Sequence, residues 1–296
     1  MFLEAHLRRF EEALVSFVNQ MGEKNKLRDA CEYALLSGGK RIRPVLVLGV
    51  AEALGYGLDV MPAALSAEFF HTASLIADDL PSMDNDDFRR DRPSLHKAFG
   101  ESVAILASYT LIAEGYGGIY RNQIEMRKKC NFLQRADEAA FFSLQIATRC
   151  GGLQGATNGQ YLDLFPPDTS WKTVSQVMLQ KTVPLFQLSF VFGWLFGGGE
   201  LEAIAKVEEC AKHLGVAFQI ADDLDDQVQD QKEQINVVQS LGKEGAEKIF
   251  EEEMLFFRKS LEELRLWTSP FQEIYDGLDK RRRLFSGLRQ RDCISC

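Results

Sequence analysis

The sequence predicts an all-α protein in which roughly ten or more helices pack around a common interior. Three observations predict it. Apolar residues recur at helical spacing along the 296 positions, and no stretch keeps the two-residue alternation of a half-buried strand for long. The interruptions at Gly38-Gly39, Gly55 to Gly57, Gly151-Gly152, Pro166-Pro167 and Gly197 to Gly199 are short and have the chemistry of helix-to-helix turns. With 46% apolar and 26% charged residues, the chain has enough apolar side chains for a full core, which excludes a disordered protein.

Taken in order, residues 1–18 interleave Glu4, Arg8, Arg9, Glu11 and Glu12 with apolar positions, so this segment reads as an amphipathic helix and not as a signal peptide. Helices follow over 27–37 and 44–54. After Pro62, Leu65, Phe69, Thr72, Ile76 and Asp79 fall at steps of four, three, four and three, one face of a helix that ends on a carboxylate. Further helices are predicted over 102–116, 124–149, 173–192, 201–224, 244–264 and 271–288. No break has the composition of a linker and no repeat or low-complexity tract occurs, so residues 1–296 read as a single domain. The longest apolar stretch, 185–196, contains Gln187, Ser189 and Gly193 and falls short of the ~20 residues a membrane helix needs, which predicts no membrane span. Six scattered cysteines fit reduced thiols and a cytoplasmic location, and the terminal Cys293 and Cys296 lack the second pair that a zinc or redox site would show.

The net charge of -9 argues against nucleic acid as a partner, because neutralising phosphates takes a basic stripe. Positive charge is instead concentrated at Lys40-Arg41-Ile42-Arg43, Arg89-Arg90 and Arg281-Arg282-Arg283. The first two groups flank a run of acids.

That run, Asp78-Asp79-Leu80-Pro81-Ser82-Met83-Asp84, has a counterpart in Asp222-Asp223-Leu224-Asp225-Asp226, and each follows an apolar helical stretch. Carboxylates gathered at one mouth repel one another unless a counter-charge is present. Oxygen donors without Cys or His suit Mg²⁺, with Mn²⁺ as the alternative. Asp222 and Asp226 are four apart and share a helix face, as do Asp223 and Asp226 at three apart. Pro81 ends the regular helix, which lets Asp84 fold back toward Asp78. Gly38-Gly39-Lys40-Arg41-Ile42-Arg43-Pro44 sets flexible backbone and three cations before a helix N-terminus, a phosphate-binding arrangement. Each piece alone also has a plain reading: a solvated helix end, a basic turn, doubled arginines facing water, a core histidine at His71.

The ordered set is another matter. G-G-K-R-x-R-P, a histidine seven residues ahead of D-D-x-x-x-x-D, then R-R, then Lys181-Thr182, then F-Q-x-x-D-D-x-x-D over 218–226 resembles the trans-isoprenyl diphosphate synthases across residues 30–230. The resemblance implies the isoprenoid-synthase helical bundle and Mg²⁺-dependent, head-to-tail condensation of isopentenyl diphosphate with dimethylallyl, geranyl or farnesyl diphosphate. By resemblance, Asp78, Asp84 and Asp222 hold the metal, with Asp79, Asp223 and Asp226 in support. Lys40, Arg43, His71 and Arg90 correspond to the isopentenyl diphosphate pocket, and Arg89 and Lys181 to contacts with the allylic diphosphate. Thr182 and Gln219 correspond to polar groups beside the reacting carbons. A homodimer is also implied.

Product length in this family is read from the helix before the first motif. Ala73, five residues ahead of Asp78, leaves the tail room to pass, and Phe70 lies about 12 Å along the axis from Asp78 as a floor. The expected product is geranylgeranyl diphosphate; farnesyl or longer polyprenyl diphosphates are the alternative, and a weakly active partner subunit is a second. The chain departs from the family at Ala77, where relatives often carry His, and at Ser108-Tyr109, where they commonly carry Gly-Asp. The segment after Asp226 is abbreviated and keeps Lys232 alone of the expected lysines, which makes the arginines near the C-terminus candidates to replace them.

Overall fold

The computed structural model describes residues 2–226 and 236–292. The fold class is as predicted: among the described residues thirteen α-helices account for nearly all regular structure. They are α1 (Phe2–Asn19), α2 (Lys26–Leu35), α3 (Ile42–Leu54), α4 (Met61–Asp78), α5 (Leu95–Phe99), α6 (Glu101–Arg127), α7 (Leu133–Gly151), α8 (Ala156–Leu164), α9 (Trp171–Lys181), α10 (Val183–Phe196), α11 (Ile204–Asp226), α12 (Val237–Glu263) and α13 (Ser269–Asp292). Two short strands, β1 (Phe88–Arg89) and β2 (Arg92–Pro93), form an antiparallel hairpin.

The chain divides into two compact units, one of Met1–Thr148 with Leu188–Glu202 and one of Arg149–Gln187 with Ala203–Cys296. In the first, α4 packs along α6 with unusual closeness. The Ser66 hydroxyl donates to the Gly115 carbonyl at 2.5 Å, and a Cβ on Gly118 would come within 2.6 Å of the Ser66 side chain. Asn122 fixes the register by accepting from the Ala63 amide and donating to the Asp59 carbonyl. Phe10, Leu14, Leu46 and Phe69 lie fully buried in this unit. In the second unit α11 packs on α12 around Leu214, Phe250 and Phe257. There α8 crosses α9 at Gly159, where a Cβ would sit 2.2 Å from the Lys181 amide nitrogen. Only glycine lets the two backbones approach this closely.

Several elements differ from the sequence expectation. The helix predicted over 173–192 is two helices, α9 and α10, because Pro184 has no N–H for the carbonyl of Gln180 and its ring crowds that carbonyl. The helix predicted over 124–149 is also divided. α6 runs on to Arg127, where the Arg127-Lys128-Lys129 run suits a helix C-terminus, and α7 starts anew at Leu133. The short helices α5 and α8 and the hairpin went unpredicted. The hairpin turns on Arg90 and Asp91, both at positive φ (54° and 60°), the turn geometry that matches strand twist but is normally supplied by Asn and Gly. No described helix is long and apolar enough to cross a membrane. Lys232, Cys293 and Cys296 lie outside the described residues.

Candidate functional site

The first unit carries a basic corner built on a buried ion pair. Arg41 takes a left-handed conformation (φ 47°) just before α3, and this turns its side chain inward. The guanidinium donates to Glu68 on α4 at 2.5 Å, to Glu11 on α1 at 2.8 Å and to the Leu35 carbonyl at 2.6 Å. Side-chain exposure is 1% for both Arg41 and Glu68. Burial raises the Glu68 carboxyl above its ordinary value, and Arg41 opposes it. Removing one partner of such a pair costs about 3–5 kcal/mol, because the other is left buried and uncompensated. Arg41 and Glu68 therefore form the scaffold on which the neighbouring cations stand.

Arg43, the second residue of α3, donates to Nε2 of His71 at 3.2 Å. Burial first, and then the arginines Arg43, Arg90, Arg41 and Arg89, hold His71 well below the usual histidine value, so its ring is neutral. Since arginine only donates, Nε2 accepts and the ring proton sits on Nδ1. That Nδ1–H is buried without a hydrogen-bond partner, a donor suited to a phosphate oxygen. Arg90 reaches back from the hairpin turn to the Gly38 carbonyl and lies over Gly39, where a Cβ would fall 2.4 Å from the guanidinium carbon. The glycine pair thus works as a cradle for an arginine as well as a flexible turn. Lys40 lies exposed at the same corner.

The first aspartate cluster adjoins this corner. Asp78 is the last residue of α4, and the chain returns so that the Asp84 amide donates to the Asp78 carbonyl at 2.9 Å, the fold-back expected from Pro81. Asp79 is buried and accepts from Arg89 Nε at 2.9 Å, with a second, closer contact from Nη2. Burial raises the Asp79 carboxyl while Arg89 opposes the rise. Arg89 also reaches Asp86 at 3.3 Å. A cavity of about 30 Å³, lined by Ser37, Thr72, Asp79, Arg89 and Arg90 among others, lies behind these groups. The buried Thr72 hydroxyl has no partner and borders this cavity.

In the second unit a hydrogen-bonded relay runs from α9 to α12. The Thr182 hydroxyl donates to Gln219 Oε1 at 2.7 Å, Gln219 Nε2 donates to Asp223 Oδ1 at 2.8 Å, and Asp223 Oδ2 accepts the Val237 amide at 2.8 Å. Asp223 is thereby turned inward, while Asp222 and Asp225 face the Arg281 guanidinium of α13, Asp222 at 2.6 Å. Lys181 is paired with Asp163 of α8 at 2.5 Å. The side chain of Asp226 lies outside the described residues.

Among the described residues no three His, Cys, Asp or Glu side chains form a ready metal cage. The donor chemistry nevertheless fits a hard divalent cation, since both clusters offer carboxylate oxygens alone. The Arg281 guanidinium across Asp222 and Asp225 also marks the end of α11 as a seat for positive charge.

The structure brings Arg43 onto His71 and Arg89 onto Asp79, sets Arg89 and Arg90 where their charges act on His71, and joins Thr182, Gln219 and Asp223 in one relay. It adds Glu68 and Asp163, which sequence reasoning passed over, and it corrects Arg41, expected as one of three phosphate-binding cations but turned inward and spent on Glu68, Glu11 and the Leu35 carbonyl. Glu68 left a signal, a lone acid in the apolar stretch before Asp78. Asp163 left none, since it stands between two turn signals on a helix of nine residues. Ser108 donates to the Ala73 carbonyl at 3.0 Å, so one of the departures from the family pattern joins α6 to α4.

The polyprenyl synthetase family model matches residues 24–240. Farnesyl diphosphate synthase of Geobacillus stearothermophilus is 37% identical over 227 residues, 75% of this chain and 73% of that protein. The large subunit 2 of heterodimeric geranylgeranyl pyrophosphate synthase from Arabidopsis thaliana is 35% identical over 72% of this chain, and the matched region spans about half (55%) of that relative's length. A crystal structure of geranyltransferase from Legionella pneumophila superposes with a TM-score of 0.79 at 28% identity, covering 94% of this chain and 96% of that one. With this match, these relatives and both aspartate clusters in place, the chain belongs to the polyprenyl synthetase family, the trans-isoprenyl diphosphate synthases.

Proposed function

We propose that this protein is a Mg²⁺-dependent prenyltransferase that joins isopentenyl diphosphate head to tail to an allylic diphosphate, with geranylgeranyl diphosphate as product. The observation that carries this reading is the basic corner. A buried Arg41–Glu68 pair supports Arg43, His71 and Arg90 in the same unit as Asp78, Asp79 and Asp84. Lys40, Arg43, Arg90 and the Nδ1–H of His71 hold the isopentenyl diphosphate, and Arg89 and Lys181 meet the allylic one. To do so, each of the last two must share or exchange its present carboxylate partner, Asp79 or Asp163.

Asp78 and Asp84, and in the second cluster Asp222, with Asp79, Asp223 and Asp226 in support, would hold Mg²⁺, which would supply charge stabilisation for the departing diphosphate. The allylic C–O bond ionises, the isopentenyl double bond attacks the resulting carbon, and the product cation loses a proton to the released diphosphate. Thr182 spends its proton on Gln219, so its oxygen lone pairs are left to face developing positive charge. The relay to Asp223 fixes that orientation.

Relatives are named as both farnesyl and geranylgeranyl diphosphate synthases. The twenty-carbon reading rests on the side chains of α4. Ala73 is buried and small, and Phe70 packs edge-on to Tyr116 at 5.1 Å. We further propose a homodimer, supported by an exposed apolar stripe on α6.

The test is to incubate the protein with Mg²⁺, labelled isopentenyl diphosphate and each of the three primers, then to size the products. A twenty-carbon product is expected, and no product with any primer refutes the reading. Asp78→Ala and Asp222→Ala are each expected to lower turnover by a factor on the order of 10² or more, as when a stabiliser of transition-state charge is removed. Lys40→Ala is expected to raise KM for isopentenyl diphosphate selectively.

A further inference from the structure

Arg281 lies on α13, far in sequence from either aspartate cluster, yet its guanidinium spans Asp222 at 2.6 Å and Asp225 closer still. The contact is held from several sides. The next residue, Arg282, is pinned to Glu251 of α12 at 2.7 Å and to Asp279 at 3.3 Å, which anchors this turn of α13. Arg281 also stands over the Phe218 ring, 5.9 Å from its centroid. Its side chain is 23% exposed, and those of Asp222 and Asp225 are 30% and 20% exposed. A planar fork bonded to two carboxylates in a partly buried place is far stronger than a lone surface pair.

The acids it joins are the ones that most need a cation. Asp222 and Asp225 share a helix face at a spacing where like charges repel, and Arg281 removes that repulsion. A hydrated divalent ion at this cluster needs the Asp222 oxygens that Arg281 occupies. It carries twice the charge in a smaller volume, so it wins where it is abundant, but only after Arg281 has left.

We propose that Arg281 is a built-in counter-ion of the second aspartate cluster, seated on Asp222 and Asp225 until a divalent cation displaces it, and that it thereby sets the cation concentration at which the site fills. This rests on the metal role given above to Asp222. Arg281 acts on the site through these carboxylates, as a positioning residue.

The measurement is Mn²⁺ binding to the full-length protein without substrate, by electron paramagnetic resonance of the free ion. Arg281→Gln removes the competitor and leaves the cluster more negative, and both effects act in one direction. Binding on the order of tenfold tighter than in the wild type is expected, the equivalent of losing one charge-assisted contact of about 1.4 kcal/mol. Arg281→Lys, a point charge without the fork, is expected to fall between the two. Mn²⁺ bound equally well or more weakly by Arg281→Gln overturns the proposal and leaves the metal reading intact. Mn²⁺ bound by none of the three proteins overturns both.

A second readout needs no variant. Saturating the wild-type protein with Mn²⁺ is expected to speed amide hydrogen exchange over residues 279–283, as Arg281 lets go. Unchanged exchange in the presence of bound Mn²⁺ also overturns the proposal.

Discussion

His71 shows how a single proton follows from its surroundings. Its ring is desolvated, ringed by arginines and hydrogen-bonded through Nε2 to a group that can only donate, so it stays neutral and keeps its proton on Nδ1. Stability then depends on pH with a definite sign. Above the ordinary value of 6.5 the ring is neutral in folded and unfolded chains alike and contributes nothing. Below 6.5 the unfolded chain takes up a proton that the folded one refuses, so stability falls as pH falls, by up to about 1.4 kcal/mol per unit until the depressed folded value is reached. Denaturant titrations at a series of pH values from neutral down to about pH 5.5 are expected to show that slope in the wild type and a flatter one in His71→Gln. Equal slopes would mean that the ring is solvated. The residues around it were unequally legible in the sequence. The motif order singles out Lys40, Arg43, His71 and Arg90 because it records chemistry; Arg41 and Glu68 do their work by packing, which motif spacing does not record.

At the scale of elements, α4 packs on α6 through Phe70 and Gly115. The Phe70 ring occupies the place where Gly115 has no side chain, and a Cβ there would come within 2.7 Å of Cε1. Gly115→Ala is therefore expected to push the ring aside at a cost of about 1–3 kcal/mol and to change the product-length distribution. Ala73→Tyr is expected to shorten the product by filling the passage directly. Chromatography of the products beside thermal melts separates the two effects, and unchanged lengths in both variants would remove α4 from the determinants of length. The long helices were legible because an apolar face of three or more turns repeats often enough to set a period. The helix α8 and the hairpin around Arg90 were not. A helix of nine residues repeats its face barely twice, and a turn with two non-glycine residues at positive φ is made by tertiary contacts such as that of Arg90 on Gly38. The break between α9 and α10 was legible in principle, since Pro184 marks it.

For the whole molecule the informative feature is an exposed apolar face among the described residues. Along α6, Ile105, Tyr109, Ile112, Tyr120 and Ile124 recur at helical spacing and are 37–64% exposed. A helix of 27 residues is about 40 Å long and, at a width near 10 Å, offers about 400 Å². A stable interface buries about 800 Å² on each partner, so α6 alone is half of one. Phe141 and Leu144 of α7, 65% and 46% exposed, add to it, and Asp137 on the same helix is tied to Gln123 and Arg127 of α6. A stripe of this kind suits a second copy of itself, because a two-fold axis lays each patch against its equal. Sedimentation of the wild-type protein is accordingly expected to give a dimer. The double change Tyr109→Glu with Phe141→Glu is expected to give a monomer of unchanged helix content, since both rings face outward and burying four carboxylates per dimer without partners is prohibitive. A wild-type monomer would refute the assembly. A double variant that still dimerises would put the interface on another face and leave the stripe on α6 unexplained.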